Sequence, residues 1–205
     1  MTIVIGFNCD DSILIATDTH IVTPGISKLN ASKLFRNEPE NRVNSLMGMA
    51  GSFSYGRMAM QHLQRGLADL ETDTSLNSIR SVIENEILQL HERYIYPHPD
   101  RLVTNLSVDL LIAAWSPQDK AAAIYWTEDA TVVDFPGYAC IGTGSTLSHF
   151  IVKPEYKPKM PLNKVIPLAL RAVEKAKEFV DGVGGYTEWA TMSITDGTLS
   201  KTERV

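Results

Sequence analysis

Cysteine is scarce in this 205-residue chain: Cys9 and Cys140 stand alone, with no CxxC pair and no Cys/His spacing. That scarcity excludes a disulfide-stapled scaffold and offers no zinc-binding pattern. Both thiols lie in apolar, strand-like runs and read as buried groups of a reducing compartment. Positive charge is also in short supply. Against 24 Asp and Glu there are 19 Lys and Arg, a formal net charge of -5 without any basic cluster, which excludes nucleic acid as a partner class. No apolar run approaches membrane-spanning length, and the first residues lack the basic stretch, apolar core and small-residue cleavage site of a secretory signal. The expectation is a cytoplasmic protein with no membrane partner and no long propeptide ahead of Thr2. Internal repeats and low-complexity segments are lacking too.

What is present is an ordinary globular composition, 44% hydrophobic and 21% charged, long enough to bury a sizeable core. A single domain over 1–205 is expected. The apolar runs "TIVIGF" and "SILIAT" flank the polar turn "NCDD", the pattern of a hairpin with both strands largely buried. Short strands are expected over Ser32 to Arg36 and Val43 to Met49. The period then changes: Ala59, Leu63, Leu67 and Leu70, and next Leu76, Ile79, Ile83, Ile87, Leu90 and Tyr94, recur at helical spacing. Prolines in "YPHPD" end the second helix.

Strands return in "LSVDLLIAAW" and "AAAIYW", with shorter runs at Thr131 to Phe135 and Tyr138 to Ile141. "GTGS" reads as a strand-to-helix turn capped by Ser145. It lacks the lysine of a P-loop and the further glycine of a dinucleotide fingerprint. After a proline-marked loop, a long helix from Leu162 places Val165, Leu168, Ala172, Ala176 and Phe179 on one face, "DGVGG" ends it, and strands close the chain. Grouped strands and helices, without strict alternation, predict an α+β fold, a four-layer αββα sandwich.

Chemistry is suggested first by Thr2. Removal of Met1 would leave a threonine whose own α-amine, ordinarily titrating at ~7.7 to 8.0, can take the hydroxyl proton near neutral pH. His62, His91, His98 and His149 are scattered without ligand spacing and read as surface or loop residues. Cys9 has no base in its vicinity and reads as structural. Met58 and Met60 fit a core or a subunit contact.

In order along the chain, "TIVIGF", "ILIATDT", "SKLF", "MAGSFSYG", "IGTGS" and "DGVGG" resemble the β-type subunits of the proteasome and their bacterial and archaeal relatives, the N-terminal nucleophile (Ntn) hydrolases. By that resemblance Thr2 is the nucleophile, Asp18 the buried carboxylate, and Lys33 the catalytic lysine. Lys28, in the loop "GISKLN", lacks the following strand pattern. Gly51 resembles the residue whose N–H meets the oxyanion. Thr143 and Asp181 resemble the outer polar positions that orient the nucleophile's amine, and Met49 and His20 fall among substrate-binding positions.

The resemblance implies hydrolysis of peptide bonds in a peptide or unfolded protein, without metal or organic cofactor. It also implies a homo-oligomeric ring and an ATP-dependent unfoldase as feeding partner. Two departures stand out. Gly184 replaces the small hydroxyl residue that follows the outer aspartate in many active members, and His20 stands where arginine is common. A non-catalytic structural subunit and a small-molecule amidase of the Ntn class remain alternatives on the same residues.

Overall fold

The computed structural model describes residues 2–23, 26–39, 43–71, 73–99 and 106–205, without the side chains of 23 and 26–28. Strands β1 (Val4–Asn8) and β2 (Ser12–Asp18) form the expected hairpin, closed by the Cys9 N–H donating to the Ser12 carbonyl at 2.8 Å. All seven residues of β2 are buried. A strand in which both the odd and the even side chains are apolar must be covered on both faces, which sets the layering of the whole molecule.

A short hairpin follows, β3 (His20–Thr23) with β4 (Ile26–Asn30), and then β5 (Leu34–Asn37) and β6 (Asn44–Gly51). Helices α1 (Phe53–Ala68) and α2 (Leu76–Leu90) come next, α2 being capped by the Ser75 hydroxyl, which accepts from the Ser78 N–H at 3.2 Å. A π-turn, His91–Ile95, extends α2. The chain continues through β7 (Val108–Ser116), β8 (Ala121–Glu128), β9 (Thr131–Asp134) and β10 (Tyr138–Ile141). Helices α3 (Ser145–Val152) and α4 (Leu162–Phe179) lead to β11 (Thr187–Ser193) and β12 (Glu203–Arg204).

Two antiparallel five-stranded sheets result, ordered β10-β1-β2-β11-β12 and β5-β6-β7-β8-β9. Their facing sides interlock through Val4, Ile13 and Ile15 against Leu46, Leu111 and Ala113. On the outer side of the first sheet, Ile5, Phe7 and Leu14 pack against Val165, Leu168 and Ala172 of α4. On the outer side of the second, Met47, Leu110 and Ile112 pack against Leu63 of α1 and Ile83 of α2. The molecule is therefore a four-layer αββα sandwich, and its apolar periodicities account for each layer.

Several local expectations are corrected. The segment Ile26–Asn30 containing Lys28 is strand β4 and not a loop; the Lys28 side chain lies outside the described residues, as does Met1. The helix expected after the "GTGS" turn is the eight-residue α3, whose extent the sequence leaves unmarked because two turns give too short a pattern to register. Its N-cap is Gly144, without a side-chain cap bond, so Ser145 begins the helix and does not cap it. His91 is 2% exposed, buried under the π-turn and away from the surface. Phe179, at the last turn of α4, is 67% exposed because the helix ends before its apolar stripe closes. Met60 lies in the core and Met58 packs against it.

Candidate active site

Antiparallel pairing of β1 and β2 with Val4 opposite Thr17 carries Thr2 to the end of β2, beside Asp18. Lys33 precedes β5 of the other sheet, its carbonyl accepting from the Met49 N–H at 3.2 Å. Facing sheets stand roughly 10 Å apart, a gap a lysine side chain can cross. Lys33 does so, placing Nζ 2.8 Å from Asp18 Oδ1.

The hydroxyl of Thr2 lies between these two groups. Its Oγ1 donates to Asp18 Oδ1 and accepts from Lys33 Nζ in close contacts. Thr2, Asp18 and Lys33 are 2%, 0% and 4% exposed, so the triad is shielded from bulk water. Asp18 is satisfied from several directions: the Ile3 N–H donates to Oδ1 at 3.0 Å, while the His20 and Gly184 N–H groups donate to Oδ2 at 3.2 and 3.1 Å. Burial holds the Lys33 ammonium below the ordinary lysine range, and the charge and hydrogen bond of Asp18 pull it part of the way back.

Thr143, in the turn before α3, sits on the main chain of Thr2. The Thr2 N–H donates to Thr143 Oγ1 at 3.1 Å, and the Gly144 N–H donates to the Thr2 carbonyl at 3.1 Å. Gly51 ends β6 with φ of +92°, and a Cβ there would collide with the Ser107 carbonyl oxygen, so glycine is required. Asp181 is a different case. It is exposed in the turn after α4 and makes no hydrogen bond to Thr2 or Thr143 among the described residues, because α4 runs on to Phe179 and leaves the turn facing solvent. The outer role that the resemblance implies for Asp181 has no hydrogen bond to Thr2 or Thr143 to carry it among the described residues.

Thr2, His20, Lys33, Met49, Gly51 and Thr143 line one cleft of about 830 Å³. Asp109 and Trp126 line it as well, and neither is among the candidates that the motifs supply. The one sequence signal for Asp109 is a lone carboxylate inside the apolar run "LSVDLLIAAW". Cys9 is buried as expected, whereas Cys140 is only partly buried and lines the cleft; desolvation pushes both thiols up to about 12, which leaves them protonated at neutral pH. Among the described residues no group of three or more His, Cys, Asp or Glu could hold a metal ion, and no helix is long and apolar enough to cross a membrane.

The family model described as "Proteasome subunit" matches residues 2–191. The chain belongs to the proteasome subunit family. It is similar to proteasome subunit beta 1 of Nitrosopumilus maritimus, 28% identical over 138 residues, which span 67% of this chain and 62% of that protein's length. It is 22% identical over 205 residues to the proteasome subunit beta of Thermoplasma acidophilum, spanning 96% of this chain and 87% of that one. In three dimensions it resembles the helical assembly of the Anbu complex from Pseudomonas aeruginosa. The TM-score is 0.84 at 15% identity, over 99% of this chain and 86% of that one. This family member therefore carries the αββα sandwich that the order of its strands and helices predicted, and shares it with the Anbu structure.

Proposed function

We propose that this proteasome-family chain is a threonine-type Ntn hydrolase that cleaves peptide bonds as one domain of a homo-oligomer. The observation that carries the reading is the placement of Thr2 Oγ1 against both Lys33 Nζ and Asp18 Oδ1 in a buried site. Once Met1 is removed, the Thr2 amine, directly or through one water, takes the proton from its own hydroxyl. Oγ1 then bonds to the substrate carbonyl carbon. Lys33 stabilises the alkoxide as it forms, and Asp18 offsets the cost of burying the ammonium. The Gly51 N–H is the donor to the tetrahedral oxyanion, an interaction of about 2.7 to 4 kcal/mol in such sites. Collapse breaks the C–N bond as the Thr2 α-ammonium returns its proton to the leaving amine. Water then hydrolyses the threonine ester by the same route in reverse.

Thr143 holds the amine end of Thr2, and the β-methyl of threonine restricts χ1 and keeps Oγ1 aimed. Met49 and His20 contribute cleft wall to the substrate. The assembled form of the Anbu complex supports an oligomer here. Peptides or unfolded proteins are the substrates, an ATP-dependent unfoldase is the feeding partner, and the cytoplasm is the location.

A second reading, a non-catalytic subunit that supplies only contacts in the assembly, is favoured by Gly184, which brings no hydroxyl to the site, and by the exposed Asp181. Intact mass before and after an epoxyketone probe, which needs both a hydroxyl and a free α-amine, separates the two. Loss of methionine with one adduct on Thr2 supports the hydrolase. A processed chain that takes no adduct rejects it in favour of the structural subunit.

A further inference from the structure

The cleft holds a negative charge that nothing among the described residues matches. Asp109 lies on β7 opposite Ala50, adjacent to the Gly51–Val108 pair, and lines the cavity shared by Thr2 and Lys33. Among the described residues its carboxylate has neither a hydrogen bond nor an ion pair. Burial first, then the like charges of Asp129 and Glu128, push this carboxyl up to about 6, so it is still mostly ionised at neutral pH. Lys33, the one Lys or Arg lining the cleft among the described residues, is already bound to Asp18.

The wall beside Asp109 is aromatic. Trp126 on β8 pairs with Leu111, two residues along from Asp109, so by the two-residue period of strands Asp109 and Trp126 are diagonal neighbours. Trp126 lines the same cavity, and its indole N–H is buried without a partner among the described residues. A carboxylate next to an indole suits a cation, through an ion pair on one side and the ring face on the other. An anion or a wholly apolar side chain would leave the half-buried charge of Asp109 uncompensated.

We infer that Asp109 and Trp126 form a cation-binding subsite of the cleft, taking the ammonium or guanidinium of a substrate side chain. Resting on the hydrolase reading above, the preferred substrates are then peptides with Lys or Arg close to the scissile bond. The sheet register explains the closeness: Asp109 is one residue removed along the strand from the partner of Gly51.

The test separates binding from hydrolysis. The full chain carrying T2A, which cannot form an ester, is titrated with short apolar peptide amides in which arginine is walked along the sequence. Each is matched by a peptide with citrulline, of the same shape but uncharged, at the same position, and binding is read by calorimetry. At one or more positions arginine binds about tenfold more tightly than citrulline near pH 7.5, and the preference narrows near pH 5 as Asp109 takes up a proton. D109N in the T2A background abolishes the preference, and W126F reduces it. The inference is overturned if arginine and citrulline peptides bind alike at every position, if neither binds, or if D109N keeps the preference. Its failure is distinct from that of the hydrolase reading. An arginine preference with no epoxyketone adduct on the Thr2 protein keeps the subsite and rejects hydrolysis, whereas an adduct without a preference does the reverse.

Discussion

The imidazole of His20 occupies the space that a side chain at position 184 would need: a Cβ on Gly184 would stand 2.7 Å from His20 Nδ1. The two departures from the family pattern are thus one steric event. His20 is buried, its N–H donates to Asp18 Oδ2, and the Gly184 N–H donates to the same oxygen, so the pair also frames the carboxylate that holds Lys33.

Restoring the hydroxyl alone therefore fails. G184S forces the ring of His20 to move and costs about 1 to 3 kcal/mol of stability, as overpacking does. In an H20A background the same serine has room, and the double variant recovers most of that loss. Chemical denaturation of the two single variants and the double variant measures the coupling, expected at about 0.5 to 3 kcal/mol. Strict additivity of the two substitutions would show that the contact is not felt.

Thr143 and Asp181 separate cleanly. Both occupy outer positions by sequence, but only Thr143 bonds to Thr2, accepting from its N–H at 3.1 Å. T143A removes the group that orients the amine and lowers kcat by about 10- to 100-fold while costing about 1 kcal/mol or less in stability. D181N changes kcat by less than about twofold, because the exposed side chain touches neither the nucleophile nor its support. Initial rates on a peptide substrate across the pH range, with unfolding midpoints as the control, distinguish the two.

The legibility of this site follows from what a linear motif can carry. Thr2, Asp18 and Lys33 stand in short segments whose order suggests their meeting, and β pairing then fixes their spacing through the Val4–Thr17 register. Contacts between segments distant in sequence are a different matter. The approach of His20 to Gly184, the burial of His91 under a π-turn and the exposure of Phe179 all depend on how far α2, α4 and β3 extend. Asp109 is hidden in the sequence because its run is otherwise apolar, and alternation alone does not say which end of a buried strand opens onto a cleft.

The Asp18–Lys33 pair carries an asymmetric cost. D18N leaves a buried ammonium beside a neutral amide and is expected to destabilise the fold by about 3 to 5 kcal/mol near neutral pH, whereas D18N/K33M removes both charges and loses less. The pH dependence has a definite sign. Lys33 already titrates below the ordinary lysine range through burial, and loss of Asp18 lowers it further. In D18N the unfolded chain then binds a proton that the folded chain rejects. The penalty is full below the folded pKa and fades as pH rises toward about 10.4, the unfolded value. Urea unfolding of D18N and D18N/K33M between about pH 6 and 10 tests this: the gap between the two narrows as pH rises. A gap that does not change with pH would mean that Lys33 stays charged without its partner.

Asp109 gives the opposite sign. Its carboxyl is raised from 3.8 to about 6, so between those values the folded chain holds a proton that the unfolded chain has released. Stability contributed at this position is therefore greatest below about pH 4, falls as pH rises through the window, and is lowest above about 6. D109N keeps a neutral side chain of the same shape at every pH. It matches the wild type near pH 4 and exceeds it near pH 7.5 by about 1 kcal/mol, a figure held down because solvent still reaches the cleft and screens the charge. Unfolding free energies of both proteins at the two pH values decide the matter. An unchanged difference would mean that Asp109 ionises in the fold as freely as in the open chain, and that burial and its two acidic neighbours exert no net pressure on it.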